Sequence, residues 1–298
     1  MARLFFKAIL KSFDLLYSTL LSILKIIIFS RLFSQTSQLK TNGHLECYIL
    51  GNGPSLKENI LNDLELLKSK DLFVVNDFAK SRYFEILKPK FYVLLDPCYW
   101  SKIAYKEISD NCTSVLNTIN DKTEWPIFLI VPIDAYKTNK FQNIFKGNIN
   151  ITIVNYNSTP INGFQWFNFF IFKNNLGIPT VNNVLGACIY IAINMQYNEI
   201  NILGADHSWT KDLVVNDKNQ VCFEDSHFYD ETNHNSMPIR DMYGEYYTMH
   251  QLIRDFALMF EGYHILKKYS KFMNVNIYNR SKISFIDAFE RKDLVNSN

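Results

Sequence analysis

The sequence predicts an α/β fold: a single Rossmann-like, doubly wound, mainly parallel sheet with a lid region, preceded by an amphipathic N-terminal helix. Three observations carry that expectation. Short β-rich runs alternate with helical patterns along most of the chain, as strand–helix–strand units do. The polar residues that stand out follow the ends of those runs. Residues 1–33 are mainly apolar, and a polar stretch separates them from the rest.

Composition supports a large folded unit. The chain has 298 residues, 48% hydrophobic and 20% charged, with only 10 Gly and 8 Pro, which excludes a disordered or low-complexity protein. A net charge of +2 is too small for a protein that wraps nucleic acid by neutralising phosphates. The charge is unevenly placed: residues 1–33 hold Arg3, Lys7, Lys11, Lys25 and Arg31 against Asp14 alone. The 5 cysteines are odd in number, widely spaced and without a CxxC pair. Neither a disulfide framework nor a structural zinc site is expected, and the chain reads as a protein of a reducing, cytosolic-side compartment. The glycosylation-like triplets at Asn111, Asn150, Asn157 and Asn279 then read as accidents of an asparagine-rich sequence.

Taken in order, the first element is a helix over residues 1–33. Lys7, Lys11, Asp14, Ser18, Ser22 and Lys25 recur at steps of three and four, which draws one narrow polar stripe on a wide Leu/Ile/Phe surface. Charges interrupt the apolar run before it reaches the roughly 20 residues of a bilayer span, and they also break a signal-peptide core. The expected behaviour is an amphipathic helix in the headgroup region; a spanning helix and a helix docked on its own domain or a partner stand as alternatives. Residues 34–44 read as a linker and residues 45–292 as the main Rossmann-like domain. Its strands are expected at Cys47–Leu50, Leu72–Val75, Phe91–Leu95, Ile127–Val131, Ile151–Val154, Ile200–Leu203 and Val275–Tyr278, with helices including Leu56–Lys68, Val184–Met195 and Thr248–Tyr269. Residues 208–247, polar and aromatic with weak periodicity, read as the lid, and 293–298 as a tail.

Four polar clusters follow strands: Gly51, Asn52, Gly53, Pro54 and Ser55 after the first, Asn76 and Asp77 after the second, Asp96 after the third, and Gly204 to His207 after the strand at 200–203. In open α/β sheets the ligand crevice lies outside the carboxyl ends of the strands, so these clusters should meet at one small-ligand site. In GNGPS the glycines allow a tight turn, Pro54 presets a helix, and free N–H groups at that helix N-terminus offer a phosphate or nucleotide site. The pattern is neither GxxxxGK[ST] nor GxGxxG. Asp96 and Asp206 suit ribose hydroxyls, an acceptor or a metal, and Asp96 also suits a turn. Asp225, His227, Asp230 and Glu231 are metal-ligand types at no standard spacing, so no metal is assigned. His44 and His264 read as structural.

LGNGPSLKE after the first strand, the Asn of VVND after the second, and a GxD strand end after a helix resemble the bacterial CMP-sialic-acid-dependent sialyltransferases of the Campylobacter type. KPKFYVLLDP together with GNGPSL is similar to the archaeal-type 6-hydroxymethylpterin diphosphokinase-like proteins. The resemblance covers roughly residues 45–290. It implies that Asn52, Gly53, Ser55 and Asn76 hold a CMP donor, with Thr180 the residue carried over from a Thr-Ser-Gly donor contact. Where the sialyltransferases place a tyrosine for the leaving phosphate, this chain has His207 and Ser208; Tyr243, Tyr246 and Tyr247 lie farther along.

The resemblance implies a glycosyltransferase that moves a sugar from a nucleotide donor, a CMP-linked sialic-acid-like or Kdo-like sugar being favoured, to a surface polysaccharide or lipid-linked acceptor. No cofactor is expected. The membrane surface is met through residues 1–33, and the expected location is peripheral, on the cytoplasmic face of the inner membrane. The alternatives are pyrophosphate transfer from ATP, with Asp96, Asp206 and Asp225 holding Mg²⁺, and a non-catalytic scaffold in glycan assembly. For the base that takes the acceptor proton, His227, His234 and His250 compete. His250 precedes the long helix to the last core strand, the place of the catalytic histidine in the sialyltransferases, where the helix dipole disfavours an imidazolium.

Overall fold

Strict alternation along each apolar run buries both of its faces, and this builds the sheet. In the computed structural model, which describes residues 2–32, 34–39, 41, 45–223 and 237–293, a 28-residue helix α1 (Ala2–Phe29) precedes the first strand β1 (Glu46–Leu50). Cys47 and Ile49 of β1 enter one hydrophobic layer, Tyr48 and Leu50 the other. After α2 (Leu56–Lys68), β2 (Asp71–Val75) repeats the pattern with Phe73 and Val75 opposed to Leu72 and Val74. Strands buried on both faces need helices on both sides, and parallel crossover connections supply them.

The chain winds outward from β1 through α3 (Tyr83–Leu87), β3 (Phe91–Val93), α4 (Lys106–Lys122), β4 (Ile127–Pro132), α5 (Ile133–Lys137), α6 (Lys140–Phe145) and β5 (Ile151–Tyr156). A small parallel pair, β6 (Pro160–Ile161) and β7 (Ile178–Pro179), brackets α7 (Gln165–Lys173). Helix α8 (Val184–Asn194) then carries the chain back, and β8 (Glu199–Leu203) pairs with the free side of β1. A three-stranded sheet of β9 (Leu213–Val215), β10 (Val221–Phe223) and β11 (Met237–Pro238) lies within the expected lid, whose residues 224–236 fall outside the described ones. Helix α9 (Met249–Phe272) leads to β12 (Asn276–Asn279), followed by β13 (Glu290–Arg291) at the edge.

The resulting order is β13-β12-β8-β1-β2-β3-β4-β5, with every pairing parallel. The winding reverses between β1 and β8. That is the topological switch point of a doubly wound sheet. Helix α8 is buried from Val184 to Ile193, as a helix apolar on all sides must be, between the sheet and α9. Its first turn is capped by Asn183, whose Oδ1 accepts from Leu185 N at 2.7 Å.

The seven expected strands and the three named helices all form, with ends displaced by at most a few residues. The stretch expected to be a linker is partly folded. Gln35–Gln38 form a 3-10 helix, Ser34 and Thr36 are buried, and Gln35 Oε1 accepts from Asn155 N at 3.0 Å. This covers the outer side of β5, which would otherwise be an open sheet edge.

Helix α1 docks through Thr19, Ser22 and Ser30, of which only Ser22 belongs to the expected polar stripe, while Lys7, Lys11 and Asp14 of that stripe are exposed. Ser22 Oγ donates to Asn162 O at 2.7 Å and accepts from Asn162 N at 3.0 Å, and Thr19 Oγ1 accepts from Phe164 N at 3.1 Å. Ser30 Oγ meets Thr159 Oγ1 at 2.8 Å, and Asn157 brackets the backbone of Arg31. Gly163, at φ +144°, leaves Thr19 the space that any Cβ would take.

Candidate functional site

At the switch point the turns after β1 and β8 close on one another. Gly51 N donates to Leu203 O and Gly53 N to Gly204 O, both at 2.8 Å. A Cβ on Gly53 would stand 2.6 Å from Gly204 O and 2.7 Å from Asp206 Oδ1, so glycine is required there by the protein's own packing. Gly204, at φ +62°, has the left-handed backbone that favours glycine, with Leu56 against it.

Asp206 organises this junction. It is buried, its Oδ2 accepts from Ser55 N at 3.0 Å, and Ser55 Oγ donates to its Oδ1. Burial raises its carboxyl above the usual carboxylate range, while the Ser55 bonds and the charges of Lys211 and Arg291 act against that shift. This corrects one expectation from the sequence. Ser55 is not free for a phosphate, because the Asp206 carboxylate already takes both its N–H and its hydroxyl.

A cleft of about 300 Å³ opens beside the junction, lined by Asn52, Gly53 and Pro54 after β1, Asn76 and Asp77 after β2, Asp96 after β3, and Asp206 to Trp209 after β8. Asn183 to Leu185, at the start of α8, form another wall. Asn76 adopts φ 47°, and its carbonyl accepts from Tyr92 Oη, which holds the turn open toward the cleft. Asn52 Nδ2 donates to Val75 O at 3.2 Å. The amide oxygens of Asn52 and Asn76 are both buried without a hydrogen-bond partner. Two acceptors left in this state beside a cleft invite a ligand that brings donors.

The lining is acidic. Asp77, Asp96, Asp206 and Asp212 contribute to it, and among the described residues that line it there is no Lys or Arg. Asp96 is exposed at the cleft, and desolvation by the surrounding protein raises its carboxyl. Among the described residues no three His, Cys, Asp or Glu side chains gather as a metal site.

His207, which the sequence places in the fourth polar cluster without a role of its own, does reach the cleft. It is buried at φ 51°, its Nε2 lies 2.7 Å from Tyr263 Oη, and its ring packs on Trp209 with centroids 4.5 Å apart. Burial pushes its pKa down to about 3, so the imidazole is neutral at pH 7. The signal was available: a histidine directly after a GxD strand end shares the cleft with that aspartate.

The other expected site residues are distributed as follows. Gly51 and Ser55 stand behind the lining, in the junction. Thr180 lies outside it, its Oγ1 accepting from Asn162 Nδ2 at 3.0 Å. His250 is exposed in the first turn of α9, its Nδ1 3.0 Å from Thr248 Oγ1, and is not part of the lining. His227, His234, Asp225, Asp230, Glu231 and His44 lie outside the described residues.

The cysteines correct a second expectation. Cys98 and Cys112, 14 residues apart, form a disulfide in the cleft wall. The 3-10 turn at Pro97–Tyr99 sets Cys98 against α4, a contact between separate elements that sequence spacing could not reveal. Cys47, Cys188 and Cys222 are free and buried.

No protein-family model matches the sequence, and no curated protein matches it. Among solved structures the chain is similar to the MAf glycosyltransferase from Magnetospirillum magneticum AMB-1, at 13% identity and a TM-score of 0.48. That match covers 89% of this chain and 35% of the other, so the chain spans about a third of that protein's length.

Proposed function

We propose that the protein is a membrane-associated glycosyltransferase that takes a sugar from a nucleotide donor and passes it to a surface polysaccharide or lipid-linked acceptor. The favoured donor is a CMP-linked sialic-acid-like or Kdo-like sugar, and the proposed location is the cytoplasmic face of the inner membrane, where the Cys98–Cys112 disulfide has to hold against a reducing compartment. One observation carries the reading: at the switch point two buried, unpartnered amide oxygens, Asn52 and Asn76, stand beside Asp96 in a cleft of about 300 Å³. Ribose hydroxyls and a base amino group supply the donors these acceptors lack. The volume is at the low end for ligand clefts, which suits a nucleoside held inside with its sugar directed outward.

Charge ranks the donors. Each phosphate brought beside four carboxylates without a lining cation adds repulsion, so a nucleotide with a single phosphate ester is favoured over a triphosphate. No metal is assigned to the reaction in this reading. Mg²⁺ belongs to the pyrophosphokinase alternative, where it would carry the phosphates of ATP.

Transfer needs a base for the acceptor hydroxyl as the new glycosidic bond forms and the nucleotide leaves with its bonding electrons. Within the described cleft that role falls to Asp96, a carboxylate that is exposed to solvent and so reachable by an acceptor, and whose proton affinity is raised by the protein packed around it. Asp206 is held by Ser55 and acts as a positioning group. His207, with its pKa near 3, is a hydrogen-bonding wall rather than a base. His250 and His227 are the competing bases implied by the sialyltransferase resemblance, and alanine variants of each measure that competition directly.

Calorimetry with a nucleotide panel, with and without Mg²⁺, tests the reading. CMP binding without metal supports it. ATP binding only with Mg²⁺ moves the assignment to pyrophosphate transfer, and no nucleotide binding at all leaves a scaffold.

A further inference from the structure

We infer that α1 lies in the plane of the membrane, and that Trp166 and Phe170 of α7 insert beside it as a second contact fixing the domain's orientation on the bilayer. The inference rests on the membrane attachment proposed above and is independent of the donor. By length and composition alone Phe5–Phe29 could cross a bilayer, with a mean hydropathy of 1.7. The docking contacts decide otherwise.

Thr19 and Ser22 are 7% and 1% exposed, and the hydrogen bonds from Thr19 to Arg31 tie the second half of α1 to residues 157–164. A spanning segment needs about 20 apolar residues. Residues before this dock cannot supply them, for they include Arg3, Lys7, Lys11 and Asp14. Spanning would therefore pull Thr19, Ser22 and Ser30 off their partners and carry those hydroxyls into hydrocarbon.

Docking by Thr19, Ser22 and Ser30 turns the apolar face outward. Phe13, Leu16, Leu20, Leu24, Ile27 and Ile28 are all exposed, a continuous surface far beyond what a soluble monomer leaves open. Helix α7 begins where α1 docks: Phe164, which donates its N–H to Thr19, stacks on Trp166 at 6.5 Å. Trp166 and Phe170, four residues apart on one side of α7, are 71% and 61% exposed, while Phe167, Phe169 and Phe172 fill the core on the other. A tryptophan beside an apolar helix is the side chain that settles at the headgroup level.

Lipid is the occupant that the charges select. Five basic residues and one acidic residue lie within residues 1–33, and Arg3, Lys7 and Lys11 are exposed. Anionic headgroups complement that charge, whereas a second copy on the same face would oppose like with like.

The test uses the full chain with sealed vesicles of phosphatidylcholine and phosphatidylglycerol. We expect the Trp166→Ala/Phe170→Ala variant to keep the parent's thermal unfolding and to bind at least tenfold more weakly, the weight of about one large apolar side chain. Brominated lipid should quench parent fluorescence more than that of Trp166→Phe. An Ala2→Cys variant should react with a membrane-impermeant maleimide from the side on which the domain sits. Unchanged binding and quenching in these variants, or an Ala2→Cys thiol protected until detergent is added, overturns the in-plane arrangement while leaving membrane attachment intact. Absence of vesicle binding, or a stable dimer that ignores vesicles, overturns the attachment itself.

Discussion

Gly53→Ala separates two reasons for a glycine after the first strand. If the position is kept open for a ligand, alanine should block nucleotide and leave stability alone. The structure assigns the space to the protein: the new Cβ would stand 2.6 Å from Gly204 O and 2.7 Å from Asp206 Oδ1, and the first of these is backbone that cannot swing away. Gly53 is not among the residues with positive φ, so its backbone conformation adds no strain. Overpacking of this kind costs about 1–3 kcal/mol. Alanine returns about 0.4–1 kcal/mol by restricting the unfolded chain, and because the closest clash is with backbone the upper part of the overpacking range applies, which leaves a net loss of about 1–2.5 kcal/mol. Urea denaturation followed by circular dichroism should show a lower midpoint with an unchanged slope. Adding Asp206→Ala removes one of the two clashes, so the double variant should lose less than the two single losses together, by about 0.5 kcal/mol or more. A Gly53→Ala protein as stable as its parent would refute the reasoning and return this glycine to the ligand.

Asp206→Ala alone strands the Ser55 N–H and hydroxyl at the head of α2 and should cost about 2–3 kcal/mol in the same assay; a loss below about 0.5 kcal/mol would mean that the junction does not depend on this carboxylate. For His207, whose pKa falls from 6.5 to about 3 on folding, the unfolded chain binds the proton more tightly, so its contribution to stability is complete above pH 6.5 and is lost as pH falls toward 3. Between pH 6.5 and 5 that is about 2 kcal/mol. Asp96 and Asp206, with raised pKa values, act in the opposite sense, so the measurement is the difference between parent and His207→Gln, and parallel stability curves would contradict the buried neutral imidazole. Titration of the denatured, unreduced protein should find 3 thiols, with Cys98 and Cys112 paired; 5 thiols would restore the reading without disulfides.

The sheet was legible because its signal is local. Each parallel strand is a short apolar run buried on both faces, and Cys47–Leu50 or Ile200–Leu203 can be recognised without knowing what they touch. The switch point was nearly legible too, since polar residues at strand ends are where ligands gather. What stayed hidden depends on pairing across the chain. Asp206 and Ser55 are 151 residues apart, and only their contact shows that Ser55, at the head of α2, is already occupied. The Cys98–Cys112 bond is equally non-local, and so is the neutral state of His207, which comes from burial against Trp209 and Tyr263. The narrow polar stripe of α1 was visible, but a hydrophobicity pattern cannot say which face meets the protein. A stripe of hydroxyls can hydrogen-bond open backbone groups of a loop as readily as water, and Asn162 and Phe164 present such groups.

Thr180 shows how the two ends of the molecule are joined. The resemblance to sialyltransferases makes it a donor contact, yet its hydroxyl accepts from Asn162, the residue whose backbone is held on both sides by Ser22 of α1. Its own carbonyl packs against Gly262 of α9, where a Cβ would come within 2.7 Å. Three residues later Asn183 caps α8 and forms part of the cleft wall. The segment from Thr180 to Asn183 is thus pinned at one end by the docked helix and at the other by the helix beneath the cleft. These contacts join the docked helix α1 to the wall of the cleft at the switch point without an intervening flexible stretch. If α1 lies on the membrane as proposed, an acceptor carried on a lipid would meet the cleft at a height set by these contacts rather than by a flexible tether.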